Sequence, residues 1–316
     1  MMLTRESFIG PWAGLPVAWD ENDEFDERTY RADVARSAEN GAPGIYTGGT
    51  SGEFYAISED EFKAITVATV DEAHKYSTAA MIGCTATSTR GVLDRIAWAK
   101  EAGADAVQVA LPFWLAVADH EVVPFFVTVA QAAAPMAFSV YETTRSKQTL
   151  TVDQHRAIHD AAPNYLMVKA NADTVGCTLE GSRELSEFVN VFVSEGLWAE
   201  MADSGVIGGC SATVYANPTK ILRMFEHLQA KDQVALQADV DAYNKLYDFA
   251  FQAFEGRGFH DSAWDRLVGS ATGFLSTDVR CRAPYSAANA DDVAVLREWI
   301  TDHAPEWLWE PAAAGE

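Results

Sequence analysis

The sequence predicts an α/β fold: a (β/α)8 TIM barrel over residues 1–225 and a C-terminal helical region over 226–316. Three observations predict it. From about residue 10 to 225, short apolar runs of strand length alternate with longer amphipathic segments of helical period. Eight such runs can be picked out, the number that closes a parallel barrel. Beyond about 225 the strand signals cease while helical patterns continue. The rival arrangement, an open nucleotide-binding sheet, would be expected to carry GxGxxG after its first strand, and that fingerprint is absent.

The candidate strands are 15–19, 44–47, 80–84, 106–110, 136–141, 165–169, 189–193 and 206–210. Between most of them lie helical patterns, at 27–39, 59–75, 89–102, 122–133, 152–161 and 178–187. Ser58 and Thr151 stand where N-caps belong, and Gly103 stands where a helix hands over to the strand AVQVA. The extension reads as helices near 232–255, 262–274 and 290–302. Trp307 and Trp309 are expected to pack the last segment onto the body or a partner, and 311–316 to fray.

Charge and cysteine usage exclude several classes. With 46 acidic against 23 basic residues the formal charge is -23, the opposite of a nucleic-acid footprint. An anionic substrate must therefore be attracted by local positive groups against the overall field. Cys84, Cys177, Cys210 and Cys281 are scattered without a CxxC pair, as in a reduced cytoplasmic protein. The opening MMLTRESFIGPW lacks a signal-peptide layout, and no apolar run approaches the roughly 20 residues of a membrane span. A soluble cytoplasmic protein without nucleic-acid or membrane partners is expected.

Lys169 closes the sixth candidate strand, YLMVK, just before the polar stretch ANAD. Alone it could be a lysine snorkelling to solvent. If buried, it would lose ammonium stability, its pKa would fall, and a free amine could attack a carbonyl. Its company favours the second reading. In such barrels functional groups sit at the C-terminal ends of strands, and Tyr141 occupies that place on the fifth. The second strand runs into Gly48-Gly49-Thr50-Ser51-Gly52-Glu53, where Gly52 would supply φ > 0 and Glu53 would hold the turn. The eighth runs into Gly208-Gly209-Cys210-Ser211. An imine of Lys169 with a 2-keto acid would act as an electron sink, donors at Gly49, Thr50 and Ser51 would bind the carboxylate, and Tyr141 would move protons.

Gly49-Thr50-Ser51-Gly52-Glu53, Tyr141 and Lys169, in that order and spacing, resemble the dihydrodipicolinate synthase / N-acetylneuraminate lyase family. The resemblance runs from about residue 10 to 225 and includes EAGADAV at 101–107. It implies a Schiff-base lysine (Lys169), a tyrosine acid/base (Tyr141), a relay hydroxyl (Thr50) and a carboxylate-binding pair (Thr50 and Ser51). It also implies a pocket lined at Cys210, no cofactor beyond the covalent imine, and a homotetramer built as a dimer of dimers. The chain departs from the family's synthases in two places. Their Tyr-Asn-x-Pro-x-Arg becomes Tyr141-Glu142-Thr143-Thr144-Arg145, leaving Arg145 as a substitute carboxylate binder. Their Pro-Tyr-Tyr becomes Pro112-Phe113-Trp114, and Trp114, placed here as a pocket-mouth residue, has no hydroxyl to relay a proton.

The reading is therefore a Schiff-base lyase acting on a 2-keto acid, either an aldolase or a dehydratase. The leaning is towards a 2-keto-3-deoxy sugar acid, because Glu142, Thr143 and Thr144 would suit a polyol tail. Phe113 and Trp114 point instead to an aromatic aldehyde. A synthase condensing pyruvate with an aldehyde is the alternative, and a non-catalytic keto-acid sensor is the alternative of another class. His155 and His159 have i,i+4 spacing, with Asp153 and Asp160 nearby, but a metal site needs a third ligand and a concave setting; this helix lies on the outside of the barrel, so a solvated face is expected and no metal.

Overall fold

In the computed structural model, which describes residues 2–211 and 213–310, eight parallel strands close into a barrel in chain order. They are β1 (Gly10–Gly14), β2 (Gly44–Thr47), β3 (Ala79–Gly83), β4 (Ala106–Val109), β5 (Ala137–Glu142), β6 (Tyr165–Ala170), β7 (Asn190–Phe192) and β8 (Val206–Ser211), with β8 pairing back onto β1. The helices are α1 (Glu27–Glu39), α2 (Glu59–Lys75), α3 (Thr89–Glu101), α4 (Asp119–Ala133), α5 (Val152–Ala161), α6 (Leu179–Ser186), α7 (Trp198–Met201), α8 (Pro218–Ala230), α9 (Gln233–Ala253), α10 (Asp261–Thr272) and α11 (Ala290–His303). Among the described residues no helix is long and apolar enough to cross a membrane. Residues 311–316 and Ala212 lie outside the described residues.

Local signals explain most boundaries. Ser58 and Thr151 each close a capping box, with Glu61 and Gln154 as the reciprocal partners. Gly103, at φ +87, turns the chain out of α3. The first strand differs from the expectation: it is Gly10–Gly14, and 15–19 is a buried connection behind it. Pro16 interrupts that apolar run and cannot serve a sheet interior. Trp12 explains why a Gly- and Pro-rich segment makes the strand. Its ring fills the barrel axis so closely that a Cβ on Gly44 would stand 2.3 Å from it.

Two cores result. Inside the barrel, Phe8, Trp12, Met81, Met167 and Phe192 form a packed plug. Around it, outward-facing strand residues such as Ile45, Ile82, Val107, Val140 and Val168 meet the helices. The division expected at residue 225 falls inside α8, which packs on β1 and β8 as the barrel's own eighth helix. The later helices are bound to the barrel through Glu53. Its carboxylate, fully buried, accepts from Trp19 Nε1 at 2.7 Å, Arg266 Nη2 at 2.5 Å and the Arg282 backbone N–H at 3.0 Å. The expectation that Glu53 holds the turn thus extends to α10 and the segment beyond it. Trp307 is buried, and Trp309 packs its ring on Phe274.

Candidate active site

Strand periodicity places the central pair. Tyr141 and Lys169 are the penultimate residues of β5 and β6 and are register partners. Alternation then turns both side chains into the barrel mouth and sends Glu142 the other way. Lys169 Nζ lies 4.4 Å from the centre of the Tyr141 ring and 5.7 Å from that of Tyr46. One layer below, Gln108 Nε2 donates to Ser139 Oγ at 3.0 Å and to Cys210 Sγ at 3.8 Å, giving the site a polar floor.

The turn after β2 brings up the hydroxyls. Gly48 adopts φ +73 against the backbone of Gly83, where a Cβ would stand 2.7 Å from the carbonyl oxygen. Gly49 is buried beside the Tyr46 hydroxyl. Gly52 is not the residue with positive φ; Glu53 is, at φ +50, and Gly52 is needed for its closeness to the Gly48 nitrogen. The turn presents Thr50, whose Oγ1 stands 3.2 Å from the Tyr141 hydroxyl. Asn171 Nδ2 donates to the same hydroxyl at 3.3 Å. The phenol is thus held from two sides.

Two chambers open from this pair, and Tyr141 lines both. One, of about 260 Å³, is walled by Phe54, Tyr55, Leu111, Phe113 and Tyr285, with Thr50, Thr143 and Arg145 as polar members. The other, of about 240 Å³, contains Lys169, Ser51, Asn171, Glu195, Cys210, Asp261 and Asp265. Arg145 Nη2 is bound to Asp261 Oδ1 at 2.8 Å, so an ion pair joins residues of the two chambers.

The charge state of Lys169 differs from the expectation. Burial works to lower its pKa, but Tyr141, Cys210, Asp261 and Asp265 together outweigh that effect and raise it. Asp265 is displaced in the sense usual for a buried acid: burial, reinforced by Asp261, pushes its carboxyl up to about 7, against the opposing pull of Ser51, Tyr215 and Lys169. A half-buried ammonium and a buried acid that titrates near neutrality therefore share one small chamber.

Of the residues singled out from the sequence, Lys169, Tyr141, Thr50, Ser51, Cys210 and Arg145 line these chambers, and Gly49 supports the turn. Trp114 does not join them. It is 75% exposed, outside both linings, with Lys147 Nζ over its ring at 5.8 Å. Glu142 also departs from its expected role. It is 1% exposed, accepts from the Leu150 backbone N–H at 2.8 Å, and meets His155 Nε2 at 3.3 Å. His155 is fully buried, with Nδ1 2.7 Å from the Tyr165 hydroxyl, so the face expected to be solvated is packed against β6. Thr143 lines the aromatic chamber, whereas Thr144 is exposed. Asn171, Asp261 and Asp265 were not anticipated. The i,i+4 spacing of the two aspartates on one helix face was the available signal.

A family model for the dihydrodipicolinate synthetase family matches residues 8–260, which spans barrel and site together. The chain belongs to that family. It is 24% identical over 244 residues to a 4-hydroxy-tetrahydrodipicolinate synthase of Methanothermobacter thermautotrophicus, covering 75% of this chain and 85% of the relative. It is 22% identical to N-acetylneuraminate lyase 2 of Escherichia coli O6:H1 over 92% of each chain. To a probable 5-dehydro-4-deoxyglucarate dehydratase of Cereibacter sphaeroides it is 23% identical, over 92% of this chain and 94% of the other. Among solved structures it superposes on YagE, a family protein of E. coli K12 crystallised with pyruvate, with a TM-score of 0.81. That alignment has 17% identity and covers 93% of this chain and 98% of YagE. The chain is therefore a (β/α)8 lyase of a family whose named members include a synthase, a lyase and a probable dehydratase.

Proposed function

We propose that the protein is a Schiff-base lyase that holds a 2-keto acid as an imine on Lys169, with no separate cofactor. The carrying observation is the pairing of Lys169 with a hydrogen-bonded Tyr141–Thr50 couple at neighbouring strand ends. The amine attacks the keto carbon once a neighbour has taken the ammonium proton. Tyr141, relayed through Thr50, returns a proton to the carbinolamine oxygen, which leaves as water. The iminium then draws electrons from a bond at carbon 3. If the C3–C4 bond breaks while the C4 hydroxyl loses its proton, C4 departs as an aldehyde and an enamine remains; if a C3–H bond breaks, the enamine expels a protonated C4 hydroxyl as water and an unsaturated iminium remains. The substrate carboxylate falls to Gly49, Thr50 and Ser51.

A synthase reading is less favoured, because Arg145 is engaged by Asp261 and Trp114 offers no relay hydroxyl. For the departing half we favour an apolar or aryl aldehyde over a sugar. Phe54, Tyr55, Leu111 and Phe113 line the chamber beside the imine, while Glu142, which suggested a polyol, faces His155. The names of the lyase and dehydratase relatives support the sugar-acid reading, so both classes belong in the assay. We also propose a cytoplasmic homotetramer, a dimer of dimers, in which Trp114 and Leu115, each 75% exposed, become covered. Sedimentation of the purified protein tests that assembly.

Reduction with borohydride in the presence of pyruvate tests the chemistry. A covalent adduct mapped by mass spectrometry to Lys169, and absent in Lys169→Ala, is expected. An unmodified wild-type chain would overturn the imine and favour a non-covalent keto-acid sensor. Release of pyruvate from arylidene pyruvates against 2-keto-3-deoxy sugar acids then assigns the substrate class.

A further inference from the structure

We infer that Asp265 is the group that removes and returns the proton at carbon 3 of a keto acid held on Lys169. The assignment rests on the imine reading above. It starts from an unpaired atom. Asp265 is 6% exposed, yet its Oδ2 accepts no hydrogen bond among the described residues. A buried carboxylate oxygen without a partner is costly, and such a group calls for a use. Asp265 lines the chamber that also contains Lys169. At about 240 Å³ that chamber is small enough that a keto acid joined to Nζ lies within a few ångströms of its walls.

The rest of the site leaves this task open. The Tyr141 hydroxyl is engaged by Thr50 and Asn171, an arrangement suited to the departing carbonyl oxygen. Cys210 lies on the floor, with burial pushing its thiol up and away from service as a base. Asp265 has a different environment from each direction. Asp261 faces it from one turn earlier on α10, Lys169 from β6 and Tyr215 from the segment after β8. Tyr243 and Tyr247 sense it from α9, and Glu195 shares the chamber from the β7 side. The hydroxyls of Ser51 and Tyr215 lie close enough to the Asp265 carboxyl to pull its pKa down, but burial outweighs them. With its carboxyl lifted to about 7, Asp265 can both take and give a proton near neutrality.

The step balances without a co-reactant. The Asp265 carboxylate takes the C3 proton of the iminium, the C–H pair becomes the C2–C3 π bond, and the C=N π pair returns to nitrogen. A neutral enamine and a neutral carboxylic acid result, and nothing is oxidised or reduced. Reversal delivers the proton back before hydrolysis frees the product.

Exchange of the pyruvate methyl protons in deuterium oxide, followed by proton NMR on the full chain, reads this step without knowledge of the natural substrate. Wild-type exchange, normalised to the borohydride-trapped fraction, is expected to rise with pH through about 7 and then level off. Asp265→Asn is expected to trap the imine normally while exchange falls about 10²–10⁴-fold and the pH rise disappears. Asp265→Glu should recover part of the rate. An Asn variant that traps the imine and exchanges within threefold of wild type would overturn the assignment. A wild-type profile flat across neutrality would do so without any variant. If the wild type forms no adduct, the imine reading itself fails, an outcome distinct from adduct formation with Asp265-independent exchange.

Discussion

The two chambers that meet at Tyr141 are nearly equal in volume and differ in charge. Around Lys169 stand Asp261, Asp265, Glu195 and the Cys210 thiol, whereas the neighbouring chamber presents the rings of Phe54, Tyr55, Phe113 and Tyr285. On the proposed reading, the Lys169 amine, its proton carriers and a keto acid would occupy the first. The second offers mainly apolar surface, with Thr50, Thr143 and Arg145 among its polar members, so it would bear chiefly on which substrate is bound. Reaction and selection would then be separable by mutation.

The largest break is expected from Lys169→Ala, which should lower turnover by at least about 10⁴-fold and abolish borohydride trapping. Tyr141→Phe keeps the ring wall of both chambers but removes the hydroxyl. A loss in kcat of about 10²–10⁴-fold with KM for the apolar half nearly unchanged is expected in steady-state kinetics. Asp265 sharpens the contrast through stability. Its folded pKa of about 7 exceeds the ordinary value of 3.8, so the folded state favours the protonated form and wild type loses stability as pH climbs between those values. Asp265→Asn should therefore match wild type near pH 4 and exceed it at pH 8, by up to about 4 kcal/mol in denaturant melts. Phe113→Ala touches selection alone. About a tenfold rise in KM for aryl substrates is expected, with pyruvate exchange unchanged. Trp114→Ala should alter kcat/KM by no more than about twofold, the scale of a surface change.

Much of this was legible in the sequence, for definite reasons. Seven of the eight strands carry apolar runs near their observed positions, and the position of Lys169 and Tyr141 at strand ends follows from the barrel rule. What was missed depends on facing and on distance. A one-residue step along β5 separates Tyr141, which points inward, from Glu142, which points to His155; position at a strand end suggests the first for the site, whereas hydrogen-bonding capacity alone suggests the second. Trp114 sits in a loop whose path no periodicity dictates. Asp261 and Asp265 come from a helix more than 90 residues after Lys169, so only the packing of α10 across the mouth reveals them.

That packing also bears on how the chain unfolds. Glu53 carries its charge with no solvent contact because Arg266 and the segment at Arg282 reach back across the barrel to meet it. A chain shortened after α8 would strand this carboxylate in an apolar setting, a loss of about 3–5 kcal/mol for an orphaned buried charge. It would also remove two aspartates from the lysine chamber. The helical extension and the barrel are thus a single thermodynamic unit, expected to melt in one transition, and the boundary between them exists in topology only.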